Sequence, residues 1–188
     1  MNAWKKIPIA TALLLAGGVA PAAAQVGPII DWISKLSGPG VGRFGLEATF
    51  PFGDTPRSLA VSPSGMYGAN VGTDGDGPDT ADGLGAWSGQ ATLDIPTIVF
   101  SPTLAILIRP GVGYSSFSGD NFETFGAFSI PLLATLRVGS GARGSFRIGF
   151  GWNFFSFPDD TFDPIEVGTE PGTWEGSFGM HASYIFDF

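Results

Sequence analysis

Cysteine is absent from the chain, which rules out a disulfide framework and a thiolate metal site. Cations are scarce. Nine Lys and Arg stand against 17 Asp and Glu, a formal charge of -8, so no cationic face is on offer for nucleic acid. Beyond the first 25 residues no apolar run is long enough for a membrane helix, which takes about 20 residues. What is present is glycine (29), proline (15) and phenylalanine (17), with 44% hydrophobic residues. That much glycine and proline argues against a helical protein and for short strands punctuated by turns, while the apolar share is far too high for a disordered chain.

The first residues, MNAWKKIPIATALLLAGGVAPAAAQ, combine Lys5 and Lys6, an apolar run from Ile7 to Ala20 and a small-residue end at Ala22-Ala23-Ala24. This layout predicts a secretory signal peptide over 1–24. Residues 26–37, VGPIIDWISKLS, are read as a short amphipathic helix within a lead-in spanning 25–40. Pro28 suits a first helical position, Ile29, Trp32, Ile33 and Leu36 share a face, and Gly38-Pro39 ends it. Such a helix would lie on a leaflet, stopper a barrel mouth, or serve as a loose lead-in.

From residue 41 onward the dominant period is two. In FGLEATFPF (44–52), Phe44, Leu46, Ala48, Phe50 and Phe52 fall opposite Gly45, Glu47 and Thr49. The same alternation marks 84–100, 103–117, 126–138 and 144–156, with Asp94, Arg109, Arg137 and Arg147 on the polar sides. The last segment, WEGSFGMHASYIFDF (174–188), puts Trp174, Phe178, Met180, Tyr184, Phe186 and Phe188 opposite Glu175, His181 and Asp187. A soluble sandwich also alternates. Here, however, the polar faces carry glycine and single charges rather than many Lys and Glu, and the apolar faces carry large residues. Aromatics also gather at strand ends, with Trp87, Tyr114, Trp152 and Trp174 toward the long loops and Phe44, Phe100, Tyr184, Phe186 and Phe188 toward the short turns. Two aromatic girdles around an apolar band point to a transmembrane β-barrel, which must close because lipid cannot satisfy a free strand edge.

The signal peptide, the alternating strands and the terminal Tyr184-Ile185-Phe186-Asp187-Phe188 together resemble the bacterial outer-membrane β-barrel proteins, of the small OmpA/OmpX-like class. The resemblance implies an all-β antiparallel barrel over 41–188, located in the outer membrane. It also implies lipid and lipopolysaccharide as surroundings, and Tyr184, Phe186 and Phe188 as a signal read by the barrel assembly machinery. Six strands are clear. A hairpin over 57–71 turning at Pro63-Ser64-Gly65 would bring the count to eight, the alternative being a long outer loop over six strands. Ser101-Pro102 and 139–143 read as short periplasmic turns, whereas 118–124 and 158–173 read as longer acidic outer loops.

Inside an eight-stranded barrel side chains just fill the space. Arg43, Glu47, Asp94, Arg109, Arg137, Arg147, Glu175 and His181 all project inward by the alternation, and opposite charges there are expected to pair into a plug. A narrow solute path is the alternative. TDGDGPDTADG (73–83) sets Asp74, Asp76 and Asp79 among glycines as a calcium loop does, yet lacks the twelfth-position Glu of an EF-hand. It reads as a solvated acidic loop, and no metal or cofactor is assigned. One enzymatic pattern stands out, His181-Ala182-Ser183 with Glu175 on the same face, similar to the outer-membrane lipid A deacylases. No Asn follows Ser183, and Glu175 lies six residues away, about 20 Å along a strand at ~3.3 Å per residue, too far to orient the His. The functional expectation is therefore a non-enzymatic small barrel with a structural or surface-interacting role, a passive pore second and a lipid A hydrolase third.

Overall fold

A computed structural model describes residues 25–35, 38–71, 85–119, 122–139, 144–156 and 174–186. Eight strands follow one another in chain order: β1 (Gln25–Lys35), β2 (Gly38–Pro51), β3 (Ala60–Val71), β4 (Gly85–Ser101), β5 (Leu104–Gly119), β6 (Phe122–Gly139), β7 (Gly144–Ser156) and β8 (Trp174–Phe186). Each pairs antiparallel with its neighbours, and β1 closes the sheet on β8 through pairs from Val26↔Phe186 to Ile33↔Gly179. Closure pairs both edges of the sheet and leaves no free strand edge.

The alternation sets the two faces. Phe44 (65% exposed), Leu46, Trp87, Val112, Phe128, Phe150 and Met180 point outward, while Thr92, Arg109, Ser115, Thr135 and Arg147 are buried inside. This inverts a soluble protein. Apolar area facing out in a continuous belt is stable only against hydrocarbon.

Three sequence expectations need correction. The helix expected over 26–37 is a strand through Lys35, and residues 36–37 lie outside the described ones. Ile29, Trp32 and Ile33 do share a helical face, but the segment also alternates, with Gly27 and Ile29 inside and Pro28 and Ile30 outside. Short apolar runs fit either period, and the ladders to β2 and β8 decide the matter. The barrel therefore begins at Gln25 and not at 41.

Second, Pro63-Ser64-Gly65 is no turn. It lies within β3, where Ser64 points inward and Gly65 outward, and the connection is made by 52–59. The count of eight holds, but its last two members are β1 and β3 rather than a hairpin. Third, Phe44 belongs with the aromatics of the loop end. Its ring meets Tyr67 edge-on at 6.4 Å, and Tyr67 pairs with Trp87 in the ladder. Trp87, Tyr114 and Phe128 continue the row with ring centroids 6.0 and 5.3 Å apart.

Irregularities follow local chemistry. Proline has no N–H to give to a ladder, and the β4–β5 register shifts just after Pro96. The connection expected over 118–124 is tighter, since Gly119 pairs with Phe122. Gly144 opens β7 with φ of 133°, a conformation that other residues resist.

Candidate functional site: the lumen

The lumen is layered. Its centre is a ring of four charges drawn from four strands: Glu47 on β2, Asp94 on β4, Arg109 on β5 and Arg147 on β7. Arg109 donates from Nη2 to Glu47 Oε2 at 2.9 Å and from Nε to Asp94 Oδ1 at 2.7 Å. Arg147 Nη1 completes the circuit to Glu47 Oε1 at 2.9 Å and Asp94 Oδ2 at 3.0 Å. Each carboxylate thus lies between the same two guanidiniums. All four side chains are at most 4% exposed. Hydroxyls satisfy further positions: Arg109 Nη2 bonds Thr92 Oγ1 at 3.0 Å, Arg147 Nη1 bonds Thr49 Oγ1 at 3.1 Å, and Ser62 donates to Asp94 Oδ2 at 2.9 Å. Such pairing is what allows charges to be buried at all.

Toward the loop end lies a second pair, Arg43 on β2 and Asp31 on β1, directly opposed in the ladder. Arg43 donates from Nε and Nη2 to the two carboxylate oxygens at 2.8 and 2.6 Å, and from Nη1 to Ser88 Oγ at 2.8 Å. Reading 26–37 as a helix hid Asp31. Strict alternation from Gly27 would have found it.

Beyond that pair the lumen turns apolar. Ile33, Ala127 and Phe155 form one buried cluster and Val41 with Ala86 another, both packed against Phe117. Phe117 stacks on Phe125 at 5.2 Å and meets Phe155 edge-on at 6.3 Å. The sequence signal for this layer is faint, because Phe155 sits beside the outward Phe154 and the doublet blurs the alternation.

The remaining expected residues fall as follows. His181 is 5% exposed, with Nε2 at 3.2 Å from Arg109 Nη1 and 3.1 Å from Thr135 Oγ1. Arginine has no lone pair to offer, so Arg109 donates and Nε2 accepts. The ring proton then resides on Nδ1, which has no partner. Gly149 makes room for this ring: a side chain there would collide with His181 Cε1, Ala134 O and Thr135 Oγ1. Ser183 is also inward and 3% exposed, and its Oγ has no partner, so it is not hydrogen-bonded to His181. The pair therefore lacks the serine-to-histidine hydrogen bond by which a base activates a nucleophile.

Arg137 stands apart from the ring at the turn end, half-buried, where Nη2 donates to Pro56 O at 3.0 Å. Tyr184 and Phe186 lie near the end of β8, with rings 4.8 Å apart and Phe186 outward. Phe188, Asp74, Asp76 and Asp79 lie outside the described residues, as does the side chain of Glu175. Among the described residues no group of His, Asp and Glu could hold a metal ion.

No protein-family model matches the chain, and no curated protein resembles it in sequence. Similar solved structures exist. The crystal structure of Neisserial surface protein A (NspA) is 13% identical, covering 88% of this chain and 96% of that one with a TM-score of 0.53. That of Ail, the attachment invasion locus protein of Yersinia pestis, is 13% identical, covering 87% and 97%, at a TM-score of 0.39. The closed eight-stranded sheet, its apolar outer belt and the likeness to the Neisserial structure agree: the fold is that of the small, OmpA/OmpX-like outer-membrane β-barrels.

Proposed function

We propose that this chain is a small outer-membrane barrel with a structural or surface-interacting role, its lumen closed by the charged ring and the apolar layer above it. The observation that carries this reading is the inversion of the molecule, with Phe44 at 65% exposure outside and Arg109 at 1% inside. On this reading the strands span the bilayer, the 52–59 turn faces the periplasm, and the acidic connections at 72–84 and 157–173 face outward. Lipid and lipopolysaccharide meet the aromatic belt. The terminal Tyr184, Phe186 and Phe188 serve the assembly machinery. A surface role fits a barrel whose chain length beyond the strands is concentrated in loops at one end.

A passive pore is the second reading, favoured by a cavity of about 400 Å³ at the turn end of the lumen. Arg147 and Asp94 form its inner wall, and the ring stands between it and the loop end. Planar-bilayer recording of the refolded protein separates the two. A plugged barrel gives no reproducible conductance steps, whereas steps of constant size would establish the pore.

A further inference from the structure

The turn-end vestibule holds an arginine that no described carboxylate pairs. Among the described side chains of the lumen, Arg43, Arg109, Arg137 and Arg147 face three carboxylates, Asp31, Glu47 and Asp94, and every ion pair involves the other three arginines. Arg137 makes none. Its one hydrogen bond goes to the carbonyl of Pro56, in the turn that crosses the mouth. That turn is braced by its own bonds, Phe52 N to Leu59 O at 2.8 Å and Ser58 N to Thr55 O at 2.9 Å. It therefore holds the guanidinium in place without neutralising it.

Arg137 is, moreover, paired directly with Arg147 across the β6–β7 ladder, both side chains inward. Residues so opposed have Cβ atoms about 5 Å apart, and like charges there destabilise a sheet. Arg147 is only partly used by the ring. All four of its hydrogen bonds run through Nη1, and its buried Nε has no partner. Arg137 and Arg147 line the same cavity of about 400 Å³, with Thr49 and Ser145 beside them and Asp94 and Asp54 also on the wall. That volume lies in the range of small-ligand pockets, about 300–1,000 Å³.

We propose that this vestibule binds a small phosphate-bearing solute between Arg137 and Arg147. A guanidinium is matched in geometry and charge to a phosphate group; Arg137 offers the donors that Pro56 does not use, and Arg147 adds positive charge from the inner wall. Bound phosphate also relieves the Arg137–Arg147 repulsion. The Ser145 hydroxyl supplies a neutral donor at the edge of the site. Asp54 disfavours an anion at the rim, and Asp94 on the inner wall is already held by Arg109 and Arg147, so Arg137 is the cation that an entering anion meets. On the plugged reading proposed above, on which this part rests, the ring forms the floor of the site, which opens through the turn-end mouth.

The test uses the refolded full chain in detergent micelles. Sodium phosphate is titrated at constant ionic strength against sodium chloride, and both the unfolding temperature and the phosphorus-31 line width are followed. A saturable rise in Tm with matching line broadening is expected, and Arg137→Gln should weaken apparent affinity at least tenfold. Arg137→Lys, which keeps the charge but loses the fork, should fall between. Parallel titrations with glycerol phosphate separate the sources: binding of both compounds assigns a phosphoester, and binding of phosphate alone assigns the free ion. Sodium acetate tests the chemistry, since an equal response to acetate would overturn phosphate specificity. Unsaturable behaviour of the unsubstituted chain, or equal affinity in a folded Arg137→Gln, would overturn the site.

Discussion

Arg147 and Glu47 are 100 positions apart in the chain, yet Nη1 of one lies 2.9 Å from Oε1 of the other. Closing the sheet brings them together. Glu47 also holds Arg109, and Asp94 holds both arginines from the opposite side, so the four charges form a cycle in which each ion has two partners of opposite sign.

The cycle predicts a non-additive pattern of stability. Glu47→Gln leaves Arg109 and Arg147 with Asp94 as their one carboxylate between them, and should cost about 3–5 kcal/mol, the usual penalty for stranding a buried charge. Removing Arg109 as well leaves Asp94 and Arg147 as a neutral pair. Glu47→Gln with Arg109→Gln should therefore cost clearly less than the sum of the single changes. Urea unfolding of the four proteins in micelles, followed by tryptophan fluorescence, measures this. Strict additivity would mean that the four residues do not act as a unit.

Ser183 gives a prediction of the opposite kind. Its hydroxyl is buried and unpartnered, and an unsatisfied buried hydroxyl costs about 1–3 kcal/mol. Ser183→Ala should leave stability unchanged or raise it slightly, instead of lowering it as a hydrogen-bonded serine would. It should also leave the lipid A of an expressing host unaltered. Mass spectrometry that finds an acyl chain lost with the unsubstituted protein and retained with Ser183→Ala would establish a hydrolase.

Orientation is open to labelling. Thr55 is exposed in the turn between β2 and β3, and Asp76 lies in the connection at the other end. With an impermeant thiol reagent on intact cells, Asp76→Cys should react and Thr55→Cys should not. The absence of native cysteine removes any background. Reaction at position 55 alone would show an inverted barrel.

The strand period, the outward belt and the inward charges were legible because a barrel wall is one residue thick: alternation alone assigns each side chain to lipid or lumen. Glu47, Asp94, Arg109 and Arg147 could be nominated on that basis. Their pairing could not, because it depends on strand stagger and on which strands face one another across the lumen. At β1 local sequence misled. Ile29, Trp32 and Ile33 suit either period, and Pro28 reads as a helix start, so Asp31 was lost as the partner of Arg43. At β3 the Pro63-Ser64-Gly65 triplet carries turn chemistry, which ladders on both sides overrule.

The sequence by itself determined that this chain forms a closed antiparallel sheet, apolar outside and polar within, since no other arrangement satisfies both its period and its surface. Only the tertiary structure decided that β1 begins at Gln25, that four charges close into one ring beneath an apolar layer, and that Arg137 forms no ion pair among the described residues. Those outcomes rest on contacts between residues far apart in the chain. Barrel closure fixes them, and local pattern does not encode it.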